Sequence, residues 1–347
     1  MIVHVFNSSI VSGPETLVIP ALKALGEPVT VVFLYETRRG DACDGPVKYA
    51  EALGLPTRVV KVHSRVDGGA VRRLREVLKE LKPSVVHSHD VKASTYVLKA
   101  SGPKSRREWA LVSTHHGVRG RSGWVPKFYE GFYARWILPG FDRVLSVCGS
   151  DRQLLLKRGL DPERVNVHLN GVDRRKVVMA DRPSERARIQ ESWGLAQRRI
   201  PNDSVVLGFA GRIAGEKRLD RVLNVARELS ENGIDLPRWD LVIFGTGPLE
   251  AEYHAMTREM GLEDRVHWMG YRSGLGSEMA GFDVLMSLSD AEGLPINLVE
   301  AGWAGTPVLA TGVDGNRDLF PTPEHGLTVP VEESDWEIAD ALARLIL

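Results

Sequence analysis

Short runs of β-branched and aromatic residues alternate with amphipathic stretches along most of the chain. Six such runs occupy the first half: IVHVF (2–6), VTVVFLY (29–35), SVVHS (84–88), ALVST (110–114), RVLSV (143–147) and RVNVH (164–168). Stretches of helical periodicity lie between them, for example GAVRRLREVLKELK (69–82). Apolar runs that alternate with amphipathic helices are typical of βαβ units, and they predict a parallel sheet.

The alternation breaks once, between residues 174 and 203, in a charged and arginine-rich segment that ends RRIPND. It then restarts with five more runs: SVVLGFAG (204–211), WDLVIFG (239–245), RVHWMG (265–270), FDVLMSLS (282–289) and TPVLAT (306–311). We therefore predict an α/β protein with two successive Rossmann-like domains, 1–173 and 204–347, joined by a linker over 174–203.

Composition and charge narrow the class of protein. The 45 Lys and Arg residues match 45 Asp and Glu residues, and a net charge of +0 argues against a nucleic-acid-binding protein. Two cysteines, Cys43 and Cys148, suggest no disulfide framework and are typical of a cytoplasmic protein. No apolar run reaches the roughly 18 residues that a spanning helix needs, and the N-terminus is typical of a strand rather than a signal peptide.

Two cations follow the first run of the second half. Ligands of open parallel sheets bind beyond the carboxyl ends of the strands, so these loops are where site residues are expected. Arg212 comes directly after VVLGFAG, and Lys217 follows five residues later. They suit a diphosphate, because arginine can bind two oxygens at once and lysine acts as a point charge. Spacing alone leaves open that both are solvated surface residues.

Two glutamates flank an apolar segment after the run FDVLMSLS. Glu292 lies in the loop, and Glu300 is expected about one and a half turns into the helix that follows. Pro295 suits the first helical position, which would leave the amides of Ile296 and Asn297 free to bind a phosphate. Both carboxylates could accept hydrogen bonds from sugar or ribose hydroxyls, although structural or solvated glutamates are the alternative.

Four blocks of the second half resemble, in order and spacing, the family-four ("group 1") retaining glycosyltransferases of the GT-B fold. They are GFAGRIAGEKRLDRVLNVA, FGTGPLEAEY, VHWMGYR and SDAEGLPINLVEAGWAGTPVLATGVDG. Two glutamates separated by seven residues are the hallmark of that family. The resemblance implies two Rossmann-like domains whose parallel sheets face a central cleft. It also implies transfer of a sugar, with retained configuration, from a nucleoside-diphosphate sugar to an acceptor hydroxyl.

The resemblance assigns a role to each candidate residue. Arg212 and Lys217 bind the donor diphosphate, Glu292 contacts the donor sugar, and Glu300 accepts hydrogen bonds from the ribose. The full set of residues implied for donor binding is Gly13, Arg212, Lys217, Tyr271, Arg272, Glu292, Gly293, Leu294, Pro295, Ile296, Asn297 and Glu300. Tyr271 and Arg272 match the loop that lines the nucleotide base. The donor is a co-substrate, and neither a cofactor nor a metal ion is expected.

Retention in this family needs no carboxylate nucleophile. The resemblance implies a front-face reaction in which the departing phosphate helps to take the acceptor proton, so Glu292 orients the sugar. Arg212 and Lys217 would stabilise the charge that develops on the leaving group. His116, after the run ALVST, matches a family histidine that faces the donor sugar across the cleft, and the alternative for it is a structural histidine. These four residues are the predicted catalytic set.

Two other functions stay open. The ligand set of a metal-dependent hydrolase could be formed by side chains in or just after two of the predicted strands: His87, His89, Asp90, His115 and His116. That function would leave Arg212, Lys217 and both glutamates unexplained. A non-catalytic protein that binds sugar nucleotides is the other alternative.

Three segments bear on the acceptor, which is expected to be a sugar, a glycan, a lipid-linked molecule or another small molecule. Gly13 matches the family's glycine-rich loop, where a single glycine permits one special backbone angle or close approach. The segment 119–143 holds seven of the 24 aromatic residues, interleaved with basic ones. Its spacing predicts a buried helix, and the alternative is a surface that contacts the inner membrane face. Residues 314–318 depart from the family pattern, so the role of that loop is open.

Overall fold

The computed structural model describes the chain apart from residues 9–10, 12, 38–43, 65, 117–130, 174–176, 180–182, 199 and 232–235. The chain divides into two compact units, Met1–Asn170 and Gly171–Leu347. Each unit is built on a parallel sheet, as the alternation of apolar runs and amphipathic stretches predicts. Cys43 lies outside the described residues, and Cys148 is buried, where its Sγ accepts a hydrogen bond from the amide of Asp151.

The sheet of the first unit has the strand order of a doubly wound fold. Its strands are β1 (Ile2–Phe6), β2 (Val29–Glu36), β3 (Thr57–Val62), β4 (Val85–Ser88), β5 (Ala110–His115), β6 (Arg143–Ser146) and β7 (Val165–Val167). Within the described residues the order is β3-β2-β1-β4-β5-β6-β7. The direction of winding reverses between β1 and β4, which is where ligands bind in such sheets.

Helices connect these strands: α1 (Gly13–Lys23), α2 (Asp44–Ala52), α3 (Gly68–Leu81), α4 (Val91–Ser101) and α5 (Gly149–Lys157). Helices α3 and α4 begin after aspartates that accept a hydrogen bond from the first turn. Asp67 accepts from the amide of Ala70 at 2.9 Å, and Asp90 accepts from the amide of Ala93 at 2.7 Å. Asp90, predicted as a possible metal ligand, therefore caps a helix.

The second unit repeats the same plan. Its strands are β8 (Val205–Ala210), β9 (Trp239–Phe244), β10 (Val266–Gly270), β11 (Val284–Ser287), β12 (Val308–Thr311) and β13 (Leu327–Val329). Its helices are α6 (Pro183–Ser192), α7 (Leu219–Glu231), α8 (Glu250–Glu259), α9 (Ile296–Ala304), α10 (Asp314–Leu319) and α11 (Asp335–Ile346). The strand order in the described residues is β10-β9-β8-β11-β12-β13, with the reversal between β8 and β11.

Both faces of the second sheet are covered. Along β8, Leu207 and Phe209 pack in one apolar cluster while Val206 and Ala210 pack in another. This alternation follows from the two-residue period of a strand. Because both faces are apolar, the run reads as continuously hydrophobic in the sequence, which is typical of parallel sheets.

Part of the segment predicted as a linker packs against the second unit. Helix α6 is followed by Trp193, whose ring lies 4.8 Å from that of Phe282 and 5.0 Å from that of Phe244, measured between ring centroids. Ile189 belongs to the same buried cluster. Helix α6 and Trp193 are therefore held by the second unit, and the domain boundaries themselves stay predictions.

The aromatic and basic segment is described only from residue 131 onward, so Phe128 and Tyr129 lie outside the described residues. Tyr133 is buried, and its hydroxyl lies 3.0 Å from Oγ of Ser113. Phe132 and Trp136 are 43% and 66% exposed. The described part of the segment thus has both a buried and an exposed face. None of the described helices has the length and hydropathy needed to cross a membrane.

We expect Gly281→Ala to destabilise the second unit. A Cβ at this position would overlap the Trp193 ring and the Ile189 side chain, and overpacking of this kind costs about 1–3 kcal/mol. Gly302→Ala is the matched control, because open space surrounds this helical glycine and alanine should stabilise it by about 0.5–1 kcal/mol. Urea unfolding followed by tryptophan fluorescence compares them, and equal midpoints would contradict the packing of Trp193.

Candidate active site

Lys217 and Glu292 meet at the carboxyl ends of two neighbouring strands. Strands β8 and β11 pair in parallel, so the loops that follow them lie side by side. Nζ of Lys217 donates to Oε1 of Glu292 at 2.6 Å, and Oγ of Ser289 donates to the same oxygen at 2.7 Å. Lys217 is part-exposed and still has N–H donors for another anion. The structure therefore brings two of the predicted site residues into direct contact.

A second ion pair joins Arg212 to Glu216, and the arginine side chain is 62% exposed. The Glu216 carbonyl accepts from the amide of Asp290 at 3.0 Å, which ties the loop after β8 to the loop after β11. Arg218, in the left-handed region at φ 49°, donates to Asp290 at 2.8 Å. The sequence analysis assigned no role to Glu216. Its position directly before the predicted cation Lys217 was the signal that could have indicated a role.

The N-terminus of α9 lies next to β8. The helix begins at Ile296, one residue later than predicted, because Pro295 occupies the cap position, with an extended ψ of 121°, instead of the first helical position. The amides of Ile296 and Asn297 are in the first turn, for which a helix has no internal acceptor. Nδ2 of Asn297 donates to the carbonyl of Ala210 at 2.7 Å. This bond ties the start of the helix to the strand end that carries Arg212.

The loop before α9 is supported by the segment whose role the sequence left open. A Cβ on Gly315 would overlap the carbonyl of Gly293, so only glycine allows this close approach. Residues 314–318 form most of helix α10 rather than an open loop. Leu294 is buried, which anchors the loop that carries Glu292. We conclude that α10 supports the candidate site through the backbone of this loop.

Glu300 differs from the other carboxylates of the site. Its carboxylate lies against Gly276, where a Cβ would overlap it. Within the described part of the chain, no hydrogen bond or ion pair to its side chain is found. Burial raises the pKa of Glu300 to about 7. A part-buried carboxylate of this kind is a ready acceptor for hydroxyl donors from a ligand.

Tyr271 and Arg272 follow β10 but differ in their surroundings. Tyr271 is 70% exposed, as expected for a side chain that could stack on a nucleotide base. Arg272 instead binds Glu278 through two nitrogens at 2.5 and 2.8 Å and donates to Ser192 at 3.0 Å. Glu278 also accepts from Nε1 of Trp193 at 2.8 Å. In this structure Arg272 braces the loop, and its predicted contact with a base stays a prediction.

The remaining two predicted residues lie in the first unit. Gly13 is exposed and begins α1. His116 follows β5, and its Nε2 lies 3.4 Å from Nδ1 of His89. Burial, with a smaller effect of His115, lowers the pKa of His116 to about 4. The ring is therefore neutral at pH 7 and is suited to hydrogen bonding rather than to carrying a charge.

The histidines of the first unit do not assemble the predicted metal-ligand set. Among the described residues, the side chains close enough to share an ion are His4, His87 and His89, whose ligand atoms lie within 4.8 Å of one another. Asp90 caps α4, and neither His115 nor His116 belongs to the group. Sequence reasoning missed His4, which the pairing of β1 with β4 places opposite His87.

Family models match both halves of the chain. The model described as "Glycosyltransferase Family 4" matches residues 15–176, and the model described as "Glycosyl transferases group 1" matches residues 195–347. EpsF of Bacillus subtilis, which is named as a glycosyltransferase, is 30% identical over 319 residues, or 89% of this chain and 78% of EpsF. An Escherichia coli UDP-Gal:alpha-D-GlcNAc-diphosphoundecaprenol alpha-1,3-galactosyltransferase is 25% identical over 99% of this chain and 87% of its own length.

Solved structures share the fold. Anabaena HepE, in complex with UDP, superimposes with a TM-score of 0.80 at 18% identity, over 99% of this chain and 89% of that one. Sucrose-phosphate synthase from Thermosynechococcus elongatus gives a TM-score of 0.72 at 18% identity, over 100% and 88%. These similarities confirm the predicted GT-B fold. The chain therefore belongs to the group 1 glycosyltransferases and is an enzyme that transfers a sugar from a nucleoside-diphosphate sugar.

Proposed function

We propose that the protein is a retaining glycosyltransferase that binds the nucleoside diphosphate of its donor at the carboxyl ends of β8 and β11. The observation that carries this proposal is the carboxylate of Glu300, which is part-buried and has no side-chain partner among the described residues. Ribose hydroxyls would supply the missing donors. Their hydrogen bonds would favour the ionised form and so offset the cost of burying the charge.

The diphosphate is assigned to the cations and amides at the same edge. Lys217 can donate to a phosphate oxygen while it keeps its bond to Glu292, because an ammonium group has three N–H donors. Arg212 is mostly exposed and can turn from Glu216 toward a phosphate. The amides of Ile296 and Asn297 add the positive end of α9. All four groups would stabilise the charge that develops on the leaving diphosphate.

Glu292 is assigned to the donor sugar as an orienting residue. Oε1 already accepts from Lys217 and Ser289, which fixes the carboxylate and leaves Oε2 for a sugar hydroxyl. A carboxylate that shares its charge with an ammonium is a weak nucleophile. This arrangement supports the front-face reaction in which the leaving phosphate assists removal of the acceptor proton. His116 would add one neutral hydrogen-bonding group to the sugar.

The acceptor is assigned to the class of glycan or lipid-linked hydroxyls, at the cytoplasmic face of the membrane. The E. coli relative is named for a diphosphoundecaprenol-linked acceptor. The exposed side chains of Phe132 and Trp136, beside Arg135, would contact the interface of an anionic bilayer. No cofactor is part of the proposal.

We expect Glu292→Ala and Glu300→Ala to separate nucleotide binding from sugar transfer. Loss of the Glu300 acceptor should weaken affinity for the preferred nucleoside diphosphate by roughly tenfold to a hundredfold, because a hydrogen bond to a charged group contributes about 1.5–3 kcal/mol. Glu292→Ala releases Lys217, so this affinity should stay equal or rise while transfer falls steeply. Calorimetric titration of the folded variants, with transfer rates measured in parallel, makes the comparison.

Glu263→Ala is the control for these variants, since it removes an exposed glutamate from the same unit. It should change neither affinity nor rate. A loss of nucleotide affinity in Glu292→Ala as large as that in Glu300→Ala would contradict the division of roles.

Transfer should also survive chelation. Lys217, Arg212 and the α9 terminus provide the positive charge that a divalent cation would otherwise supply to the diphosphate. Rates before and after EDTA treatment and desalting test this. Complete loss of turnover, restored by one divalent ion, would overturn the metal-independent reaction.

A further inference from the structure

Three histidine rings of the first unit form a chain of nitrogen contacts that ends at His116. Nδ1 of His4 lies 2.8 Å from Nε2 of His89, and Nδ1 of His89 lies 3.4 Å from Nε2 of His116. The first is a short hydrogen bond and the second a long one. The rings come from β1 and from the loops after β4 and β5, which are three adjacent strands of the sheet.

His89 is the central ring, and its plane is fixed from both faces. The Phe6 ring stacks on it with centroids 4.3 Å apart and 6° between planes. The His87 ring lies on it at 4.2 Å and 30°. His87 is itself held by a 2.7 Å hydrogen bond between Nε2 and Oγ1 of Thr114. With its plane fixed, His89 can present its two nitrogens only toward His4 and His116.

The spacing favours a proton over a metal ion between the rings. Two histidine nitrogens on a tetrahedral zinc ion, each about 2.0–2.1 Å from the metal, lie about 3.3 Å apart. The nitrogens of His4 and His89 are 2.8 Å apart, which is the distance of a hydrogen bond. The chain is also neutral at pH 7. Burial lowers the pKa of His4 and of His116 to about 4 and that of His89 well below its ordinary value.

Neutral rings in such a chain must all carry the proton on the same-named nitrogen, because each ring has one N–H donor and one acceptor nitrogen. If Nδ1 of His4 carries the proton, it donates to His89, whose Nδ1 then donates to His116. Nδ1 of His116 is then a donor. In the opposite sense, all three rings carry the proton on Nε2, and Nδ1 of His116 is an acceptor.

We propose that His89 is a positioning residue that couples the tautomers of His4 and His116. Through its two nitrogen contacts, the nitrogen that carries the proton in His4 determines which nitrogen carries it in His116. The chain would thereby fix whether the second nitrogen of His116 donates to or accepts from a sugar hydroxyl. The role of a histidine nitrogen is set by the hydrogen bond that the other nitrogen makes. The consequence for transfer rests on the role proposed above for His116, whereas the tautomer itself does not.

Nitrogen-15 NMR of the histidine-labelled resting protein at pH 7 tests the tautomer without any substrate. Signals are assigned with single histidine variants. We expect His4, His89 and His116 to carry the proton on the same-named nitrogen, either Nδ1 in all three or Nε2 in all three. Unlike tautomers among the three rings, or a mixture of tautomers at His116, would overturn the proposal.

A matched pair of variants tests the transmission. His89→Phe keeps an aromatic ring between Phe6 and His87 but removes both nitrogens, so His116 should become a mixture of tautomers. His87→Phe keeps the stacking and leaves the chain intact, so the tautomer of His116 should not change. An unchanged tautomer in His89→Phe, or equal changes in both variants, would overturn the proposal.

Kinetics then separate this inference from the proposed function. His89→Phe should lower kcat by roughly tenfold or more, with an unchanged KM for the nucleotide sugar, since a catalytic histidine in the wrong tautomer loses most of its effect. An unchanged kcat would overturn the role in transfer. If the wild-type protein transfers no sugar from any donor, the proposed function fails, and the NMR result still decides the tautomer chain.

Discussion

The parallel pairing of β8 with β11 is the constraint on which the proposed donor site depends. It aligns Leu207 with Val284 and Gly208 with Leu285. The Phe282 ring covers Gly208 so closely that any Cβ there would overlap it. This packing sets the strands side by side, and their loops then bring Lys217 to Glu292 across 75 residues of sequence. Gly208, in the middle of β8, therefore helps to set the positions of the charged residues beyond the end of that strand.

The cations of the loops after β8 and β11 are each paired with a carboxylate. Each cation has a carboxylate partner: Arg212 has Glu216, Lys217 has Glu292, and Arg218 has Asp290. Such pairs hold the loops in place, and their remaining N–H donors can still bind a phosphate. The Glu300 side chain, in α9, differs from these pairs: no hydrogen bond or ion pair to it is found within the described residues, and burial raises its pKa. A ligand with hydroxyl donors would lower that pKa, which couples nucleotide binding to the ionisation of this residue.

The apolar pattern predicted the central strands because they are buried on both faces. It also predicted the edge strands β7 and β10, but it missed β13 and β3, in which the exposed Arg58 and Lys61 interrupt the apolar run. Family resemblance predicted the candidate site residues but not the side chains that contact them. Glu278, which holds Arg272, and His4, which contacts His89, are brought into place by strand order and register. These contacts depend on the tertiary structure, so no local spacing in the sequence predicts them.

The central claim is that Glu300 accepts hydrogen bonds from the ribose. A thermodynamic cycle that combines Glu300→Ala with removal of the ribose hydroxyls tests it most directly. Affinities of the preferred nucleoside diphosphate and of its 2′,3′-dideoxy analogue are measured by calorimetry for the wild-type protein and for Glu300→Ala. We predict that loss of the hydroxyls weakens binding to the wild-type protein by roughly tenfold or more and has almost no effect on the variant. Equal losses in both proteins would show that the hydroxyls bind elsewhere and would contradict the account.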